Sequence, residues 1–286
     1  MTIMIVGQFV NGLVSGLLLV LIAMGLTLTL GLLRVINLAH AALFTIGAYV
    51  GFSTYLYTRS FFLAVVLALL SGFAVGALLE VFLIRRVYKD PDLSMLLCFG
   101  ILLGITQIVR NVWGISPQIV SIPEALSGVV RIGIVPISIY RLFAVGIAVG
   151  IALAVWLSLN KTAVGLLVRA ILDNREMVEA FQIDTSRVLL IVFALGSGIA
   201  ALAGFLGAPL FGIIPDIGMT MLPLILAIVL IGGVGSFRGV MIAGPSVGVI
   251  MAFVTLISPS LSYVTIYVLM VVFLLFRPLG ILGGRM

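Results

Sequence analysis

The sequence predicts an all-α polytopic membrane protein with about nine transmembrane helices, and three observations lead there. Hydrophobic residues fill 63% of the chain, charged residues only 8%, and the mean hydropathy is +1.42, whereas soluble domains are about a quarter charged. Apolar runs close to the roughly 20 residues that cross a bilayer recur along the whole length. Short polar breaks separate these runs, and the basic residues gather at alternate breaks.

The first run covers 9–32. No Lys or Arg occurs in the first 33 residues, so the amino terminus lacks the basic segment of a secretory signal and reads as a retained span. The later runs cover 36–58, 61–84, 94–112, 138–159, 187–208, 219–234, 240–257 and 261–276. Breaks fall at Arg34, Arg59, 85–92, 113–136, 160–187, 209–218, 235–239 and 258–262. The seventh run is short, and Gly and Pro interrupt the region 218–248 as in broken or re-entrant elements, so eight to ten spans fit the pattern. With the amino terminus outside, Arg34, Arg85, Arg86, Lys89, Lys161, Arg169, Arg175, Arg187, Arg238, Arg277 and Arg285 all face the cytoplasm, eleven of the fifteen basic residues. The reverse orientation leaves four inside, so the positive-inside bias puts the carboxyl terminus in the cytoplasm. Residues 1–286 read as one transmembrane domain, with 161–187 as its cytoplasmic segment.

Several function classes fall away. Cys98 is the single cysteine, which excludes an intrachain disulfide and a cysteine-cluster metal site and leaves a packing role. His40 is the single histidine and has no Cys, His or carboxylate cluster around it, so no metal site is assigned. The net charge of +6 is dispersed over span ends and does not form a patch interleaved with aromatics, which argues against a nucleic-acid partner. The run GGVGSFRG at 232–239 lacks the lysine of a phosphate-binding loop, and neither Lys89 nor Lys161 follows a glycine, so the chain is not expected to hydrolyse ATP or bind a cofactor. No nucleophile, base and oxyanion arrangement is present, and no catalytic residue is assigned.

Four features remain as functional candidates. The segment 161–187 holds eight of the twenty-four Asp, Glu, Lys and Arg residues, four of each sign. Val164, Leu167, Val168, Ile171 and Leu172 recur at helical spacing, while Arg169, Asp173, Arg175, Glu176 and Glu179 cover the other surface. Such a helix lies on the membrane boundary with one face and offers the other to a protein groove; a solvated helix with local ion pairs is the simpler alternative. In RVINLAH at 34–40, Arg34, Asn37 and His40 are spaced by three and fall near one helix face at the cytoplasmic entrance to the second span. Asn37, His40 and Thr45 are therefore candidates to line a translocation pathway, with interhelical hydrogen bonding as the alternative. Gly232, Gly233, Gly235, Gly239, Gly244 and Pro245 mark close helix packing or a hinge, and Gly12, Gly16, Gly25 and Gly31 read the same way. The fourth feature is a shortage: Glu80 is the one carboxylate within a predicted span, which disfavours a driving proton or sodium ion. From the residues alone, a stand-alone ion-coupled secondary transporter or a facilitative channel stays open beside an externally driven permease.

Asn11-Gly12, Gly16, Gly25-Leu26, Gly31, RVINLAH and Gly47-Ala48-Tyr49 resemble the amino-terminal pattern of LivH-type permeases of branched-chain amino acid ABC importers. The pattern of Thr162, Gly165, Arg169-Ala170, Asp173, Ala180 and Ile183-Asp184 is similar to that family too, as are FALGSGIAALAGFLGAP at 193–209 and IGGVGSFRGVMIAG at 231–244. Departures are Ala41-Ala42 after the histidine, Gln182 in place of a usual glycine, and Pro245 in place of a usual small residue. The resemblance implies a bacterial-type inner-membrane subunit, embedded in membrane lipid, that carries branched-chain or related amino acids or similar small solutes. It implies as partners a second, LivM-like permease, two cytoplasmic ABC ATPases that use ATP and magnesium, and an extracytoplasmic substrate-binding protein. It also implies that 165–184 couples to the ATPase through Gly165, Arg169, Asp173, Glu176, Ala180 and Asp184, and that loops near 113–136 and 209–218 meet the binding protein.

Overall fold

The computed structural model describes residues 2–33, 37–88, 90–132 and 135–283. Arg34, Lys89 and Arg285, three of the basic residues used for orientation, lie outside the described residues. The elements in order are α1 (Thr2–Leu33), α2 (Ala39–Thr58), α3 (Phe61–Phe82), α4 (Pro91–Trp113), strands β1 (Val129–Ile132) and β2 (Val135–Ser138), α5 (Ile139–Lys161), α6 (Ala163–Ala180), α7 (Thr185–Phe211), α8 (Ile217–Gly232), α9 (Phe237–Ile257) and α10 (Pro259–Phe276). Short 3-10 turns occupy Ile84–Val87 and Glu124–Leu126. Among the described residues, α1, α3, α4, α5, α7, α9 and α10 are long and apolar enough to cross a membrane. The α2 helix has the length, at 20 residues, but a more polar composition, and α8 is apolar with only 16 residues.

Polar side chains cap five of the helices, whereas among the described residues Ser138, Asp216 and Ser258, at the starts of α5, α8 and α10, make no such bond. Ser60, Asp90, Thr162, Asp184 and Ser236 each accept a hydrogen bond from the amide three residues on, at 3.3, 3.0, 3.1, 3.3 and 3.1 Å, and so satisfy one orphan N–H of α3, α4, α6, α7 and α9. Pro91 occupies the first turn of α4, where its missing N–H costs nothing. The expected break at Pro209 is corrected: Pro209 lies inside α7, which continues to Phe211. A proline so near the carboxyl end disturbs only the closing turns, and the actual terminator is Gly212, whose φ of 73° only glycine adopts without strain. The expected loop 113–136 contains β1 and the first half of β2, which form an antiparallel hairpin in the register Val129 to Ser138 and Val130 to Ile137.

Two helices form the interior. The apolar stretches of α1 and α7 are each 83% buried, against 12% to 33% for α3, α4, α5, α9 and α10, whose outer faces are left for lipid. Lipid supplies no hydrophobic drive for helix association, so close backbone packing has to supply it. A Cβ on Gly12 would lie 2.6 Å from the Val249 Cα, and one on Gly16 would lie 2.6 Å from the Pro245 Cα, so α1 and α9 touch backbone to backbone. On the other side, Gly47 of α2 meets the Ala201 backbone, Gly204 of α7 meets the Phe44 carbonyl, and Gly72 and Gly76 of α3 receive Ser197 and Ala201. Gly248→Leu forces a side chain where even a Cβ would lie 2.6 Å from the Gly16 Cα. The variant is expected to lose about 1–3 kcal/mol, read as a lower melting temperature of the detergent-purified protein; an unchanged melting temperature would contradict this crossing.

Candidate coupling and pathway sites

The charged segment forms α6, which folds back beneath the end of α5. Thr162 donates to the Ser158 carbonyl at 2.6 Å and accepts from the Gly165 amide at 3.1 Å, so one hydroxyl ends α5 and starts α6. Gly165 is buried against the Ser158 and Leu159 carbonyls, where any Cβ would overlap them. Val168, Ile171 and Val178 are buried, while Val164, expected on the apolar face, is exposed. Arg169, read from its spacing as a surface residue, is half-buried: its guanidinium donates to the Leu159 carbonyl at 2.6 Å and to Asn160 Oδ1 at 3.5 Å. A cation at the carboxyl end of a helix satisfies carbonyls that lack intrahelical donors.

The helix is broken at Asn174 (φ −149°, ψ 96°), whose side chain accepts from the Met177 amide at 3.0 Å and restarts the helix for its last turns. The break opens a recess of about 410 Å³ lined by Gly31, Leu32, Ile171, Asp173, Asn174, Arg175 and Glu176. Asp173 and Glu176 are thus brought together, both exposed. Ala180 is exposed at the end of α6, and Asp184 caps α7 and pairs with Arg187 at 2.8 Å. Between them Gln182 has a φ of 60°, the conformation that the glycine usual in this pattern adopts freely.

Next to α6 lies a polar cluster that sequence spacing did not reveal. Glu80 is fully buried, and Arg85 donates to both its carboxylate oxygens at 3.1 and 3.0 Å, while the Tyr88 hydroxyl donates at 2.6 Å. Offsets of five and eight residues do not meet on one helix; the 3-10 turn Ile84–Val87 reverses the chain and brings them round. The hydrogen bond to Glu80 raises Arg85 above its ordinary range, and burial followed by the same hydrogen bond raises Tyr88. Arg85 also reaches the Ser186 carbonyl at 3.5 Å, and the Arg175 guanidinium sits 6.0 Å from the Tyr88 ring centre, so the cluster joins the α3–α4 turn to α6 and α7.

The pathway candidates separate. Asn37 does not share a helix face with His40, because α2 begins only at Ala39 and Asn37 precedes it. Its carbonyl accepts from the His40 amide at 3.2 Å. Nor is His40 at the mouth of a span: its Nε2 donates to the Ile22 carbonyl at 3.1 Å, beside Gly25. Ile22 lies eleven residues, or about 16 Å, before the end of α1. The α2 helix therefore starts deep within the bundle. Asn37 is 2% and His40 1% exposed, and among the described residues Asn37 Oδ1 and Nδ2 and His40 Nδ1 have no hydrogen-bond partner. Thr45 is fully satisfied: it donates to the Ala41 carbonyl at 3.2 Å and accepts from the Gly218 amide at 3.1 Å. That bond places the first turn of α8 against the second turn of α2.

The glycine candidates hold the α8–α9 junction. Gly239 faces the Gly232 carbonyl, Gly233 has a φ of 103° against Gly283, Gly235 meets Gly31, and Gly244 meets Gly16 and Val20. At the opposite end, Gln118 and Ile213 exchange backbone hydrogen bonds at 2.8 and 3.2 Å, Arg110 donates to both Asp216 oxygens at 2.7 Å, and Trp113 donates to Ser53 at 2.6 Å. The two loop regions singled out at this end of the chain, 113–136 and 209–218, are therefore tied together. Two substitutions test the local geometry. Tyr88→Phe removes a donor from buried Glu80 and is expected to cost about 1–3 kcal/mol, whereas Gln182→Gly relieves the left-handed backbone and is expected to gain about 0.5–1 kcal/mol, both read by thermal unfolding in detergent.

Comparison with known proteins supplies a family. The high-affinity branched-chain amino acid transport system permease protein BraD of Pseudomonas aeruginosa is 28% identical over 96% of this chain and 95% of its own length. The protein of the same description named LivH from Escherichia coli is 28% identical over 96% of this chain and 94% of its own. A probable branched-chain amino acid transport permease protein LivH of Methanocaldococcus jannaschii is 28% identical over 93% and 89%. No solved structure matches. The family described as branched-chain amino acid transport system / permease component matches residues 8–274, and the chain belongs to that family.

Proposed function

We propose that the chain is a membrane-spanning permease subunit of an ABC importer that moves branched-chain or related amino acids across the inner membrane. The family match over residues 8–274 carries this reading. In it α2 and α8 join the seven long apolar helices as spans, making nine, with the amino terminus outside and α6 in the cytoplasm. Partner ATPases use ATP and magnesium, a LivM-like permease completes the pathway, and an extracytoplasmic binding protein delivers substrate to the end held by Arg110 and Asp216. The satisfied state of Glu80, held by Arg85 and Tyr88, supports an external drive over an ion-coupled carrier, since a carboxylate so engaged is poorly placed to load a driving cation.

Within this reading the α6 recess with Asp173 and Glu176 is the ATPase contact, and Arg169 positions α6 on α5. Asn37 and His40 line the pathway: their unpartnered side-chain atoms lie inside the bundle, beside the start of α2 and the Thr45–Gly218 contact with α8, and buried polar groups of this kind suit the polar part of a passing solute. Thr45 holds the two starts together. Asp173→Ala with Glu176→Ala is expected to lower ATP-dependent leucine uptake at least about tenfold, with the amount of membrane-inserted protein unchanged. A drop of that size corresponds to about 1.4 kcal/mol of lost coupling. Uptake at the unaltered level, with equal insertion, would remove α6 from the coupling role.

A further inference from the structure

Two clefts at the α5–α9 seam share residues that nothing in the transport reading uses. The first, of about 310 Å³, is lined on its polar side by Asn160, Arg169, Ser236 and Arg238, and no Asp or Glu contributes to it. The second, of about 420 Å³, is apolar and runs between Val149, Ala152 and Leu153 of α5 and Met241 and Ile242 of α9. Trp156, Phe237 and Arg238 border both, so the cationic cleft opens directly into the apolar one.

The charge is uncompensated. Among the described residues Arg238 is exposed and makes no hydrogen bond or ion pair, and Arg169 uses one nitrogen on Leu159 and Asn160 and leaves the rest of its fork free. The cleft also lies at the amino terminus of α9, where the Ser236 hydroxyl satisfies the Gly239 amide and the amides of Phe237 and Arg238 lack intrahelical acceptors. An anion with four or so oxygens matches this end, and an aliphatic chain matches the groove beyond it. Both chemistries meet in one molecule at the boundary of a membrane, where Trp156 has the amphipathic character of an interfacial residue.

We infer that the α5–α9 seam binds an anionic phospholipid, with its phosphate between Arg169 and Arg238 and one acyl chain along Leu153 and Ile242. Basic pockets between spans on the cytoplasmic side are suited to such headgroups. The site goes beyond the transport reading and needs only that this end of the bundle meet the cytoplasmic leaflet. Since Arg169 and Leu172 also belong to α6, the bound lipid wedges α6 against α9 and stiffens the segment assigned to coupling.

The test uses the full-length protein, delipidated in detergent, with melting temperature followed during titration with phosphatidylglycerol, phosphatidylcholine of the same chains, or inorganic phosphate. Phosphatidylglycerol is expected to raise the melting temperature while the other two leave it unchanged. Arg238→Gln, and separately Leu153→Trp, which fills the exposed groove, are each expected to weaken the phosphatidylglycerol response about tenfold without changing the lipid-free melting temperature. An equal response to phosphatidylcholine overturns the headgroup assignment, an equal response to inorganic phosphate reduces the cleft to an ion site, and wild-type affinity in both variants overturns the location.

Discussion

Backbone-to-backbone contact through glycine is the constraint on which the rest of the bundle depends. In lipid an apolar side chain gains little by leaving one hydrocarbon surface for another, so helices cohere where small residues let them approach closely. All four glycines singled out in α1 meet a neighbour in this way: Gly12 at Val249, Gly16 at Pro245, Gly25 at Gly196 and Gly31 at Gly235. They fasten α1 to α9, to α7 and to the α8–α9 turn. The α7 helix repeats the device toward α2 and α3, so two central helices organise the others.

Polar groups are then handled by depth. Glu80 is buried and fully engaged by Arg85 and Tyr88, and Tyr140 donates to the Leu206 carbonyl at 2.8 Å. Removing Arg85 leaves the Glu80 charge uncompensated, a far larger penalty than losing the half-exposed Arg110–Asp216 pair, for which about 0–1 kcal/mol is typical. Against that background the unpartnered atoms of Asn37 and His40 stand out, since buried polar groups are normally satisfied. They coincide with the starts of α2 and α8, the two helices that fall short of the length or apolarity of the others.

Apolar runs locate most of the long helices because hydropathy measures what a span must satisfy, whereas glycine spacing marks packing surfaces in α1 but not in α4 or α5, where a Cβ on Gly100, Gly104, Gly146 or Gly150 would meet nothing within 4 Å among the described residues. Depth is not written that way. Nothing in RVINLAH states that His40 reaches Ile22, since hydropathy is blind to where a helix starts along the membrane normal. The Glu80 cluster is invisible for a related reason: a 3-10 turn discards the helical spacing that pairing arguments assume. For Arg169, spacing assigns a face but not a destination, and the nearest destination is the open carbonyl end of α5. The Asn174 break carries a visible cue, an Asn three residues before a free amide, which an otherwise uniform charged helix conceals.

Under the coupling reading these local contacts determine what a push on α6 moves. Thr162 and Arg169 fix α6 to the end of α5, so that pair travels as one body. Beyond the Asn174 break, Arg175 lies over Tyr88 and joins Glu179, which also receives the Thr185 hydroxyl at the start of α7. The polar contacts therefore tie the part before the break to α5 and the part after it to α7 and the α3–α4 turn, over an apolar base in which Val168 and Ile171 cluster with Leu28 and Leu32 of α1 and Val188, Leu189 and Val192 of α7. Displacement of the recess between them changes the angle between those two groups of helices. A densely packed bundle answers such a change by moving between discrete packings and not by bending gradually. ATP can drive that exchange only through a difference in how tightly its ATPase binds the two packings. The recess at Asp173 and Glu176, lying at the junction of the two parts, is where such a difference would be felt.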